Sequence, residues 1–207
     1  VGTMFGAEDV LDCWFGPLDD QGLADAAHRN RWFRASRSFD QEIRRRFLSM
    51  VLVASENGLQ DWRDPEMRGR GRLAEIILLD QFSRNIYRGT DLAYASDPFC
   101  RTLCREGLDQ GADLTLPALY RAFFYMPLQH SERLPDQDRG VALYEQLVAS
   151  TEGALRDLLG SFLGSARAHR DTIVRFGRFP HRNKVLRRDS TPDETVYLAG
   201  GARRYGQ

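Results

Sequence analysis

Three short stretches of this chain hold side chains able to do chemistry. The first is Asp80-Gln81-Phe82-Ser83-Arg84-Asn85, extended to Arg88. At about 100° per residue, Asp80 and Arg84 project to the same side of a helix as Leu73, Ile76 and Ile77. Asp80, Arg84 and Arg88 form an i, i+4, i+8 row suited to charge-assisted pairing. A polar row in line with an apolar stripe is either a buried Asp–Arg bridge tying helices together or the polar floor of a cleft. A half-buried ion pair is a costly route to stability, so both readings stand.

The second stretch is Met126-Pro127-Leu128-Gln129-His130-Ser131-Glu132. Pro127 ends a helix here and sends His130 and Glu132 into a junction where side chains can converge. Histidine and glutamate two residues apart could act as a base with its orienter, or as two metal ligands. The bland alternative is a helix cap at Ser131, with His130 satisfied by a backbone carbonyl.

The third stretch is the most strongly charged. His169, Arg170 and Asp171 near a helix end lead into Arg175-Phe176-Gly177-Arg178-Phe179-Pro180-His181-Arg182-Asn183. Between Ala166 and Asp189, eight cations face only two anions, Asp171 and Asp189. Gly177 and Pro180 can fix the arginines in a turn while Phe176 and Phe179 anchor it. Such a cluster suits phosphate or carboxylate. Alternatively, the arginines are taken up by helix carbonyls and by buried acids such as Asp80 and Asp97.

Elsewhere the chain is balanced, with 29 basic and 29 acidic residues, which counts against a nucleic-acid coat protein. Lys184 is the only lysine, so the cationic groups are overwhelmingly planar forks suited to bidentate contacts. Three cysteines are too few for a disulfide framework and are expected to be reduced, as in a cytoplasm. No signal peptide is expected from Val1 to Phe5, and no apolar run approaches a membrane span. The 207 residues, 42% of them hydrophobic, can bury about 70% of the unfolded surface as a single helical domain spanning 1–207. The tail from about residue 200 to 207 is expected to fray.

The elements that must position these groups are all helical. Phe39, Ile43, Phe47, Met50 and Ala54 mark one apolar stripe on a helix of about 38–57, with Ser38 as its cap and Gly58 as its stop. Further helices are expected at about 72–88, from Ser96-Asp97-Pro98 to Gly111, at 116–125 closed by Met126-Pro127, at 136–150 and at 152–176. Thr191-Pro192-Asp193-Glu194 is a capping box that opens a last helix over 192–199. No segment alternates with period two long enough to make a strand. The expected fold is all-α, built from stacked antiparallel helix pairs.

Four strings together resemble a bacterial family catalogued as domain of unknown function 924. They are Val10-Leu11-Asp12-x-Trp14-Phe15, Asp80-Gln81-Phe82-x-Arg84-Asn85, Met126-Pro127-x-x-His130-Ser131-Glu132 and Phe176 through Asn183. The resemblance spans nearly the whole chain. It implies a tetratricopeptide-like right-handed superhelix, although the sequence shows no such repeat, and it implies no reaction. The chain departs from the family pattern at Ser83, where proline is usual, at Cys13, where an aromatic is usual, and at Arg187, which stands in place of a glycine.

The best functional reading is a module that binds a small anion, phosphate or carboxylate, such as a nucleotide, an acidic metabolite or a peptide carboxylate. The candidate ligand contacts are Asp80, Gln81, Arg84, Asn85, Arg88, His130, Glu132, His169, Arg175, Arg178, His181, Arg182 and Asn183. One alternative is a hydrolase that pairs histidine with carboxylate, with or without a metal. Another is a scaffold for protein partners. Neither a metal-ligand spacing nor a cofactor-binding pattern occurs, and neither nucleic acid nor membrane is an expected partner.

Overall fold

The computed structural model describes residues 5–203 and 205, where the chain is all-α and forms no strand. The readings made for residues 1–4, 204, 206 and 207 lie outside the described residues. Helices α1 (Ala7–Phe15) and α2 (Ala26–Trp32) bring Trp14, Phe15 and Trp32 into the core. There Trp14 meets Trp32, Phe39, Phe82 and Phe123, with ring centroids 5.6–6.5 Å apart. Helix α3 (Arg37–Ser55) buries the stripe from Phe39 to Ala54. Its cap is Ser36 rather than Ser38: Ser36 Oγ accepts from the Phe39 N–H at 3.3 Å, and Ser38 Oγ faces Ser36 instead.

The helix expected at 72–88 is not uniform. An α-helical start, α4 (Arg70–Ile76), widens into a π-helical stretch over Ile77–Phe82 before α5 (Ser83–Ile86). The Leu78 carbonyl accepts from the backbone N–H of Ser83 and also from its Oγ, at 3.2 Å. Wide turns of this kind occur singly and often at functional sites. Asp80 and Gln81 sit on it.

Helix α6 (Asp97–Asp109) opens with Pro98, as expected. Helix α7 (Ala118–Phe124) does not end because of Pro127. It stops at Tyr125, and Pro127 sits in the first turn of a separate short helix, α8 (Met126–Gln129), where a missing N–H costs nothing. Helices α9 (Leu134–Ala149) and α10 (Gly153–Phe176) run antiparallel: Arg167 pairs with Glu145 and Arg170 with Asp138, so one index rises as the other falls. Gly177, at φ 73°, ends α10 in the left-handed conformation. Helix α11 (Pro192–Ala199) carries the expected capping box, with Thr191 Oγ1 and Glu194 serving each other's backbone N–H. No helix among the described residues is long and apolar enough to cross a membrane.

Candidate functional site

Asp80 is almost wholly buried, at 1% exposure, on the π-helical turn. A bare carboxylate there would be costly, so its partners decide its state. Gln81 Nε2 donates to Oδ2 at 2.8 Å, Arg84 lies 3.5 Å from Oδ1, and His130 Nδ1 lies 2.7 Å from Oδ1. Burial works to raise the Asp80 pKa, but the hydrogen bonds donated by His130 and Gln81 and the charge of Arg84 outweigh it and hold the carboxyl below its usual range. Burial also lowers the His130 pKa; the Asp80 charge opposes this and Arg84 reinforces it. Asp80 is therefore ionised and His130 neutral, with the imidazole proton on Nδ1 donated to the carboxylate. The opposite nitrogen, Nε2, makes no hydrogen bond among the described residues.

The junction carrying His130 is locked by α9. Gln137 Nε2 donates to the carbonyls of Gln129 (2.6 Å) and Ser131 (2.7 Å). Ser131 Oγ donates to Asp136, which Arg105 also grips. The sequence reading allowed His130 a carbonyl partner; its partner is Asp80, 50 residues away.

Arg84 continues past Asp80 to a bidentate pair with Asp97, at 2.9 and 3.0 Å. Arg182 approaches the same carboxylate at 3.7 Å, donates to the His130 carbonyl at 3.0 Å, and lies over the rings of Tyr94 and Phe179. Arg182 is buried, and its Nε has no partner. One end of the buried Gln129 amide is likewise unpaired. An unsatisfied buried polar group costs about 1–3 kcal/mol, so two at one place call for an explanation.

These side chains border a cleft of about 490 Å³. Its polar side carries Gln81, Arg84, Asn85, Arg88, Gln129, His130, Ser161, Ser165, His169, His181 and Arg182, with Arg34 and Arg203 also on the lining. Its apolar side is Trp32, Phe33, Tyr94, Met126, Phe162 and Tyr205. Among the described residues, five arginines line the cleft and no carboxylate does; Asp40, Asp80 and Asp97 stand behind three of them. Burial pushes the His169 and His181 pKa values down to about 3, so both rings are neutral at neutral pH. After α11 the chain turns back, and the Tyr205 ring lies 4.0 Å from that of His169 and 5.3 Å from that of His181.

Of the residues singled out in the sequence, Gln81, Arg84, Asn85, Arg88, His130, His169, His181 and Arg182 meet at this cleft, with Asp80 directly behind. Glu132, Arg175, Arg178 and Asn183 do not line it. Arg178 pairs with Glu194 at 2.7 Å, and Glu132 accepts from Arg188 and from the Phe179 N–H. Asn183 bonds Ser190 and Arg188, and Arg175 lies over Phe176 and Tyr197. These four shape the turn that presents His181 and Arg182. Sequence reasoning missed Arg34, Tyr94, Gln129 and the aromatic wall. Phe162, Ser165 and His169 share one face of α10 at helical spacing, a pattern that could have exposed the first two.

Where the chain departs from the family pattern, the backbone gives local reasons. Ser83 supplies two donors to the π-helical turn, both of which proline would lack. Arg187 adopts φ 55°, a left-handed conformation that glycine takes without strain. Cys13 is buried, with Arg46 donating to its sulfur at 3.6 Å. Among the described residues, no group of three histidine, cysteine, aspartate or glutamate side chains is arranged to hold a metal ion.

Residues 10–202 match the family described as "Bacterial protein of unknown function (DUF924)". A solved structure of a protein of unknown function from Agrobacterium tumefaciens is similar, with 35% identity and a TM-score of 0.77. That similarity covers 94% of this chain and 97% of the other. No curated protein matches. The chain thus belongs to this bacterial DUF924 family, with an all-helical fold.

Proposed function

We propose that this protein binds a small anion, carrying phosphate or carboxylate, in the cleft between the π-helical turn, α8, α10 and the arginine-rich turn. The observation that carries this reading is the lining itself, with five arginines and, among the described residues, no carboxylate. Arg34 and Arg203 form no ion pair with any described residue, so their charges remain available. The aromatic part of the lining, Trp32, Phe33 and Phe162, supports a ligand with a flat or apolar body beside its charge. The volume of about 490 Å³ falls within the range of roughly 300–1,000 Å³ usual for small-molecule sites.

The three thiols, Cys13, Cys100 and Cys104, are unpaired and buried, which supports a reducing compartment such as the cytoplasm. The test is thermal unfolding across a panel of phosphorylated and carboxylated metabolites, with and without an aromatic group. Aromatic anions should raise the melting temperature in a concentration-dependent way. A flat panel removes the reading.

A further inference from the structure

Two features of the cleft go beyond holding an anion. The first is the Asp80–His130 pair, which fixes the imidazole so that Nδ1–H faces the carboxylate. The lone pair of Nε2 is then left free on a side chain that lines the cleft. An oriented neutral imidazole backed by a buried carboxylate is the arrangement of a general base.

The second feature is a set of donors without acceptors. Gln129 precedes His130, and Arg182 donates to the His130 carbonyl. As placed, Gln129 Nε2 faces Ser165 Oγ (3.1 Å) and His169 Nδ1 (3.3 Å), leaving Oε1 alone. His169 Nδ1 also lies 2.8 Å from the Ser165 carbonyl, so it must carry the proton donated there and cannot accept from Gln129. Turning the amide over lets Oε1 accept from both neighbours and leaves the NH2 group unpaired. That group and Arg182 Nε–H are then two buried, unpaired donors on residues of the cleft lining.

We propose that His130, positioned by Asp80, is a general base and that the bound anion is a carboxylic ester cleaved by water. His130 Nε2 takes a proton from water as the water oxygen bonds to the acyl carbon. The carbonyl electron pair moves to its oxygen, where the Arg182 guanidinium on the cleft lining faces the negative charge. Collapse of the tetrahedral adduct breaks the ester C–O bond, and the departing alkoxide takes the proton back from the imidazolium. The products are a carboxylic acid and an alcohol. This inference rests on the anion-binding reading.

The test uses the full chain with the 4-nitrophenyl monoester of succinate, which has one free carboxylate, and its unreactive 4-nitroanilide isostere. Saturable hydrolysis is expected, with His130→Ala lowering kcat about 100-fold or more while the anilide still binds. Added imidazole should restore part of the rate. The charged and titratable groups facing His130 are Asp80 and Arg84, Asp97 of α6, His169 of α10, and His181 and Arg182 of the turn. Asp80→Asn removes the one carboxylate bonded to the ring, so the acidic limb of the pH–rate profile should move to lower pH. Gln81→Met, a milder change that frees the carboxylate from one donor, should move it the other way. Binding of the anilide without hydrolysis of the ester, or equal rates for His130→Ala and the parent, overturns the catalytic inference alone. Failure of the anilide to bind removes the anion reading, and the inference falls with it.

Discussion

Arg84 and Arg182 hold one carboxylate, Asp97, between them, although 98 positions separate the two arginines in the sequence. Both guanidinium groups also lie over the Tyr94 ring, at 5.3 and 4.5 Å from its centroid. Asp97 is buried at 5% exposure, so removing it leaves positive charge without a counterpart in a poorly solvated place. Asp97→Ala is expected to cost about 3–5 kcal/mol, read from urea unfolding. A loss below about 1 kcal/mol would mean that the arginines find other partners.

Glu194 gives the protein an acid-sensitive corner. Its carboxylate is held down to about 2 from an ordinary 4.5, first by the Arg178 hydrogen bond, against the opposing effect of burial, then by Thr191 and Asn183. A lowered folded-state pKa stabilises above the unfolded value, and this support is lost as pH falls through the folded one. Between pH 4.5 and 2, amides of α11 should lose protection from hydrogen exchange. In Glu194→Gln the same amides should be less protected at neutral pH and show little change across that window.

Arg34 and Arg203 offer a test of the cleft that spares the fold. Both are exposed on its lining and neither pairs with a described acid. The double change to alanine should leave the urea midpoint almost unmoved. Affinity for an aromatic carboxylate should fall roughly three- to tenfold, and the difference should shrink in high salt. Calorimetry at two ionic strengths reads both effects.

Arg187 stands at φ 55° on an exposed turn. A non-glycine residue there is strained by about 1 kcal/mol or more, part of which glycine would lose again to unfolded-chain entropy. Arg187→Gly is expected to stabilise the protein by roughly 0.5 kcal/mol. A destabilised variant in thermal unfolding would show that its side chain contributes to the turn.

Much of this was legible in the sequence where one residue type serves one local purpose. The Phe39-to-Ala54 stripe is buried as spaced, and the Thr191–Glu194 box caps α11. Ser36 and Ser38 are chemically equal, so the choice of cap depended on where the preceding chain enters. Pro127 fits both the close of one helix and the first turn of the next, and spacing alone could not decide.

The arginine-rich turn shows why the site was only half readable. Arg178 and Arg188 find acids 16 and 56 residues away, a pairing that no local pattern encodes. Arg182, of the same type and in the same run, faces the cleft. The sequence located the polar groups; tertiary packing divided them between scaffold and site.

The wide turn at Ile77–Phe82 acts as a phase shift in the helix that carries it. One additional residue in the turn rotates all that follows by about 100° relative to an unbroken α-helix. Arg84, Asn85 and Arg88 owe their heading to that offset, as though the sequence had been dialled forward one step. Shortening the stretch by a single residue would turn those three side chains away from the cleft and leave the helix itself intact.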